Sequence, residues 1–211
     1  AFNQLLEVEA DGLMRRTRAR PLPSGRIAQG RARAFAIVLS VAGLVQLAVA
    51  VNLLAAAVAF VTLLTYTVFY TPLKRRTSLS TVVGGVPGAL PPMIGWAAVR
   101  ENLSIEAWIL FCVVFLWQMP HFLAIAWMYR EDYARAGFKM LPEDDEEGGA
   151  TMRHIMVGAL LLLPVSLLPT WLGQAGVVYL TGALLLGLMY LHSGIRLTRE
   201  RTNTRARRLV L

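Results

Sequence analysis

The chain is poor in cysteine, in charge and in acid. Its single cysteine, Cys112, lies in the middle of an apolar run. That excludes an internal disulfide and any CxxC or zinc-type spacing. Charged residues make up 16% of the 211, against roughly 25% in a soluble domain, which excludes an ordinary soluble globule. Acid is scarcer than base, with 13 Asp and Glu against 21 Lys and Arg, for a formal net charge of +8. In a soluble protein such an excess would point to nucleic acid. Here 56% of the residues are hydrophobic and mean hydropathy is +0.53. Basic residues held on one face of a membrane explain the excess better, and no nucleic-acid partner is expected. No signal peptide is expected from the opening residues. Because it starts at Ala1 and ends in RARRLVL, which reads as the beginning of another apolar run, truncation at both ends is expected.

Long apolar runs are abundant. Six are read as membrane spans, near Ala34–Val51, Leu53–Tyr70, Leu79–Val99, Ile105–Met128, Ile155–Trp171 and Val177–His192. The fold class expected is all-α, a polytopic transmembrane helical bundle forming one domain over 1–211. The basic residues support that count independently. Seven Lys and Arg lie between Arg15 and Arg33, three at Lys74–Arg76, four at Arg130, Arg135, Lys139 and Arg153, and six between Arg196 and Arg208. If the chain alternates across a bilayer, these twenty fall on one side and Arg100 alone on the other. That is the cytoplasmic bias of membrane proteins. The long loops on that side are where chemistry is expected.

Five constellations stand out. Asn3, Glu7 and Asp11 are spaced by four, so they drift only about 40° per step along one helix face. Oxygen ligands in a row suit magnesium, which commonly binds one or two carboxylates together with substrate phosphates. The plainer alternative is a solvated helix end with a local Asp11–Arg15 pair. Arg15, Arg16, Arg18, Arg20, Lys74, Arg75 and Arg76 could grip phosphate oxygens, or could serve topology and anionic lipid. MYREDYARAGFKMLP, from Met128, places Glu131 and Asp132 on the same side as Asp11, with Arg130, Arg135 and Lys139 near. It reads as a second acidic and basic set, or as an amphipathic surface helix. Gln118 and His121 share a face within a span and make either interhelical hydrogen bonds or substrate contacts. VVGGVPGALPPMIGW is a broken span rich in Gly and Pro, built for close packing or for room beside a bulky ligand. The acidic run Glu143–Glu147 is read as a solvated loop.

At these residues the sequence resembles the UbiA superfamily of intramembrane prenyltransferases. NQLLEVEADGLMRRTRARPLPSGRI is similar to its first acidic motif. YTPLKRRTSLSTVVGGVPGALPPMIGWAA and LWQMPHFLAIAWMYREDYARAGFKMLP resemble the heme-farnesylating branch. The resemblance covers nearly the whole chain. It implies a nine-helix bundle around a central cavity, of which about six full spans are here, in the inner membrane of a bacterium with site loops facing the cytoplasm. It implies farnesyl diphosphate and heme B as substrates, heme O as product for heme–copper oxidases, magnesium as cofactor, and a downstream heme A synthase as a possible partner. Carried over by position, Asn3, Glu7, Asp11, Glu131 and Asp132 are the catalytic candidates, with Glu7, Asp11 and Asp132 the metal ligands. Arg15, Arg20, Lys74, Arg130 and Lys139 would bind diphosphate, and Gln118 and His121 would line a heme pocket. Two departures are visible. Glu9 stands where members often have aspartate, and Tyr129 and Tyr133 stand where the wider superfamily has the DxxxD carboxylates. The alternatives kept are a prenyltransferase of an aromatic quinone precursor or chlorin and, outside enzymes, a transporter or assembly factor.

Overall fold

The computed structural model describes residues 1–142, 145 and 147–210. Among them no strand occurs. The chain runs through α1 (Phe2–Leu6), α2 (Val8–Leu13), α3 (Gln29–Ala50), α4 (Leu53–Leu64), a π-helical turn at Thr65–Tyr70, α5 (Thr71–Leu73), α6 (Ser80–Ala89) and α7 (Pro91–Arg100). It continues through α8 (Ile105–Met128), α9 (Arg130–Arg135), α10 (Gly149–Trp171), α11 (Val177–Glu200) and α12 (Asn203–Val210). Among the described residues six helical stretches are long and apolar enough to cross a membrane: Gln29–Ala50, Leu53–Leu73, Ser80–Arg100, Ile105–Met128, Gly149–Trp171 and Val177–Glu200. The number and order match the hydropathy reading.

Local chemistry explains the breaks. Asn52 ends the first turn between spans: its Oδ1 accepts the Ala55 N–H at 2.8 Å and so caps α4. Its Nδ2 donates to the Ala97 carbonyl at 2.9 Å, pinning α4 to the end of α7. Pro91 and Pro92 open α7, and because neither can donate a backbone N–H, the third span divides at Leu90. Thr62 of α4 and Thr67 of the π turn direct their hydroxyls back to carbonyls four residues earlier, each at 2.7 Å. The helix then widens into the π turn, and Thr71 Oγ1 donates to the Tyr66 carbonyl at 2.9 Å.

The middle of the bundle is α6, α8 and α10. Gly85 and Gly88 let α6 close on α8: a Cβ at Gly85 would meet Phe115 at 2.8 Å, and one at Gly88 would collide with the Gln118 side chain. The packing account of VVGGVPG therefore holds at these two positions. The largest buried cluster joins Leu123, Ala124 and Trp127 of α8 to Met152 and Ile155 of α10, Leu197 of α11, and Ala206 and Leu209 of α12. Trp127 Nε1 donates to the Arg201 carbonyl at 3.3 Å, so the C-terminal ends of α8 and α11 sit at one end of the bundle.

Of the acidic loop, Glu143, Asp144 and Glu146 lie outside the described residues. Asp145 does more than face solvent. Its Oδ2 accepts the Thr151 N–H at 2.7 Å and caps α10. Partial burial works to raise its carboxyl, but the N–H groups of Thr151, Ala150 and Gly149 outweigh that and hold it below the ordinary value. A carboxyl lowered in the folded state stabilises the fold above its unfolded value, and that contribution goes as pH falls through the folded one. Asp145→Ala is accordingly expected to cost about 1 kcal/mol at neutral pH, the usual price of a lost cap. The gap to the parent should close as the pH drops below the ordinary value of 3.8. Melting curves of both proteins in detergent at neutral and acidic pH check this; an equal gap at both would reject the cap.

Candidate functional site

The first acidic segment is a helix with one break. Glu7 leaves helical geometry at φ −112° and ψ 15°, dividing α1 from α2. The register survives, because the Glu7 N–H still reaches the Asn3 carbonyl at 3.0 Å and the Asp11 N–H reaches that of Glu7 at 2.7 Å. Asn3, Glu7 and Asp11 thus keep one face, and Glu7 and Asp11 are buried while Glu9 is exposed. The expected continuous helix is corrected only at that joint. The second segment breaks in the same way, with Tyr129 at φ −113° and ψ 20° between α8 and α9.

Long-range contacts bring the two segments together. Ala10 and Met14 pack with Ala136 and Phe138, with Tyr133 and Met140 against them. The Lys139 N–H donates to the Lys74 carbonyl at 2.7 Å, tying the loop after α9 to the loop after α5. Arg16 spans the gap, its guanidinium 3.5 Å from the Tyr133 hydroxyl and 5.1 Å from the centre of the Tyr129 ring.

The two buried carboxylates each have a basic partner. Lys74 Nζ lies 3.0 Å from Glu7 Oε1 and hydrogen-bonds Oε2 at 3.3 Å. Lys74 also sits over the rings of Tyr70 at 4.6 Å and Phe138 at 5.7 Å. Arg20 reaches both Asp11 oxygens, at 3.1 and 3.3 Å. The local Asp11–Arg15 pair does not form, and Arg15 is exposed. Burial raises the Glu7 carboxyl above its ordinary value, against the downward pull of Lys74. Asn3 Nδ2 donates to the Tyr66 hydroxyl at 3.1 Å. Asn3 Oδ1 remains buried without a hydrogen-bond donor, and Glu7 Oε1 has only the Lys74 ion pair.

Those two oxygens, with Asp11 one turn on, are a donor set that suits a hard cation. Among the described residues, however, no three His, Cys, Asp or Glu side chains stand together as a ready metal cage. Asp132 does not join Glu7 and Asp11; its Oδ1 takes Arg135 at 2.8 Å, one helical turn away. Glu131 is exposed, as is the Lys139 side chain. Arg130 turns to the Trp127 carbonyl at 2.8 Å and to the Trp127 ring. In α8, Gln118 is buried and donates to the Gly85 carbonyl at 2.6 Å, an interhelical bond. His121 instead stacks on Trp117, ring centres 4.9 Å apart, with Nδ1 buried and unpartnered.

Tyr66, Tyr70 and Phe138 are site residues that the motifs did not single out. TYTVFY places two tyrosines four apart inside a span, and polar groups there usually face a bundle interior. That spacing was the available signal. Phe138 left none.

The profile of the UbiA prenyltransferase family matches residues 1–211. The protoheme IX farnesyltransferase of Solibacter usitatus is 54% identical over 211 residues, covering 100% of this chain and 72% of that protein. Those of Koribacter versatilis and Sorangium cellulosum are 43% identical over 197 residues and 45% over 211. This chain spans 64% and 75% of their lengths. Two solved structures share the fold with TM-scores of 0.77. One is a digeranylgeranylglyceryl phosphate synthase at 22% identity, covering 99% of this chain and 72% of that one. The other is a UbiA homolog from Aeropyrum pernix at 17%, covering 99% and 76%. By the match along its whole length, the chain belongs to the UbiA prenyltransferase family.

Proposed function

We propose that the protein joins the farnesyl group of farnesyl diphosphate to a vinyl group of heme B, giving heme O. The observation that carries this reading is the 54% identity, over all 211 residues, to a protoheme IX farnesyltransferase. The buried row Asn3, Glu7 and Asp11 supplies the matching chemistry.

In this reading Asn3 Oδ1, Glu7 and Asp11 offer oxygens to magnesium, and Asp132 would have to leave Arg135 to add another. A bound magnesium ion supplies charge that stabilises the departing diphosphate. Lys74 and Arg20, already beside the carboxylates, turn to the diphosphate oxygens and offset their charge. Arg16, between the two segments, is better placed for this than Arg15; Arg130 and Lys139 would have to swing in. The allylic C–O bond breaks and its electron pair leaves with the diphosphate. The terminal vinyl carbon of heme then bonds to farnesyl C1, and the cation left beside the pyrrole takes water and loses a proton. The apolar bundle keeps water away until that step. His121, with Nδ1 unpartnered, is the ring offered to the heme, whereas Gln118 reaches it only by leaving Gly85. In this reading the site end of the bundle faces the cytoplasm at the inner membrane of a bacterium, and the charge asymmetry of the loops supports that orientation. A heme A synthase would consume the product.

Hemes extracted from bacterial cells that express the protein, and from cells that lack it, test the acceptor. A later-eluting heme carrying farnesyl plus water is expected only with the protein. An unchanged heme profile beside a newly prenylated quinone precursor would move the reading to the quinone branch.

A further inference from the structure

Outside the acidic site, a second charged feature sits where α11 meets α12. His192, Ser193 and Arg196 of α11 face Arg205 and Arg208 of α12 around a cavity of about 120 Å³. Like charges do not converge on one small cavity without a cost, and here one carboxylate organises them. Glu200 Oε2 accepts Arg205 Nε at 2.7 Å, and Oε1 accepts the same guanidinium at 2.8 Å and Arg196 at 3.3 Å. Arg208 has no ion pair among the described residues. Three guanidinium groups against that carboxylate leave an excess of two positive charges, with planar donors of the kind that fit phosphate oxygens.

The second observation is what adjoins the pocket. Ser193 and Arg208 also line an apolar cleft of about 630 Å³ between α8, α10 and α11, floored by Trp117, Leu162, Leu186 and Met189. α8, α10 and α11 are three of the six spans, so the cleft runs inward from the basic pocket along membrane-crossing helices. The pocket is at the end of the bundle that carries the acidic motifs, as the Trp127 to Arg201 hydrogen bond requires. A basic cup at the membrane edge continuing into an apolar cleft has the polarity of an amphiphile with an anionic head. Basic pockets between spans at that face suit the head groups of anionic lipids.

We propose that this pocket and cleft together hold one anionic phospholipid, its phosphate on Arg196, Arg205 and Arg208 and an acyl chain along Leu186 and Met189. Bilayer lipid is the favoured source over a soluble phosphate because the cleft gives a soluble anion nothing to fill it. It is favoured over a metal-bound diphosphate because the carboxylate present, Glu200, already binds two arginines.

The test is native mass spectrometry of the protein purified in mild detergent and exchanged into equal amounts of phosphatidylglycerol and phosphatidylcholine. The parent is expected to retain phosphatidylglycerol preferentially. Arg196→Gln with Arg208→Gln should weaken that preference about five-fold for each arginine removed, the ordinary effect of one basic residue at an anionic surface. Arg196→Lys with Arg208→Lys, which keeps the charge, should retain most of it and shows that loss in the first variant is not misfolding. Equal retention by parent and glutamine variant would overturn the proposal. So would displacement of the lipid by excess inorganic phosphate or diphosphate, which would mark a soluble-anion site. The readout is lipid, not turnover, so it stands or falls separately from the acceptor reading.

Discussion

Asp11→Asn is expected to lower prenyl transfer by about 100- to 1000-fold, the usual effect of losing one preorganised charged group at a developing charge. The side chain is 2% exposed, so the change is felt inside the site and not in solvent. Asparagine keeps the size and one oxygen but removes the charge that holds Arg20 and that the proposed magnesium would meet. Arg20 is about one third exposed at its side chain. It can turn to water, so the fold should lose much less than the chemistry does. The Thr17 hydroxyl donates to the Asp11 carbonyl at 2.8 Å, a contact that the substitution leaves intact. Steady-state turnover over a range of magnesium, beside a melting curve, checks both halves. Normal turnover in a folded variant would remove Asp11 from the metal.

Lys74→Met should act on stability as strongly as on rate. Glu7 is buried and Lys74 nearly so, at 7% and 12% side-chain exposure. Removing one partner of such a pair leaves an uncompensated charge and costs about 3–5 kcal/mol. The Lys74 charge also faces the Tyr70 and Phe138 rings, so the loop after α5 should loosen from the loop after α9. Glu7→Gln on the same background removes the stranded charge and is expected to restore most of the stability without restoring activity. A double-mutant cycle by denaturant unfolding in micelles measures the coupling. Strictly additive losses would mean that the pair is not the link between these loops.

The spans were legible because hydropathy and the placement of arginines are independent signals that agree. Asn3, Glu7 and Asp11 were legible because a helical register depends on residues four apart. The break at Glu7 was not, since it leaves the hydrogen bonds that carry the register intact. Partners distant in sequence escaped in the same way. Tyr66 holds Asn3 across 63 positions and Lys74 holds Glu7 across 67. Asp132 differs. The resemblance at the second motif pointed to the metal, and Arg135, three residues on, holds the carboxylate here. Gln118 and His121 share a face by spacing alone, but the close approach of α6 at Gly85 and Gly88 engages the glutamine and leaves the histidine to Trp117.

The most direct measurement uses the purified protein in detergent with heme B, farnesyl diphosphate and magnesium, its hemes separated by chromatography with mass detection. A product heavier than heme B by a farnesyl group plus water, formed with magnesium and lost on chelation, is the predicted result. A folded protein that leaves heme B unchanged under these conditions, or that farnesylates it equally well with chelator present, would contradict the account.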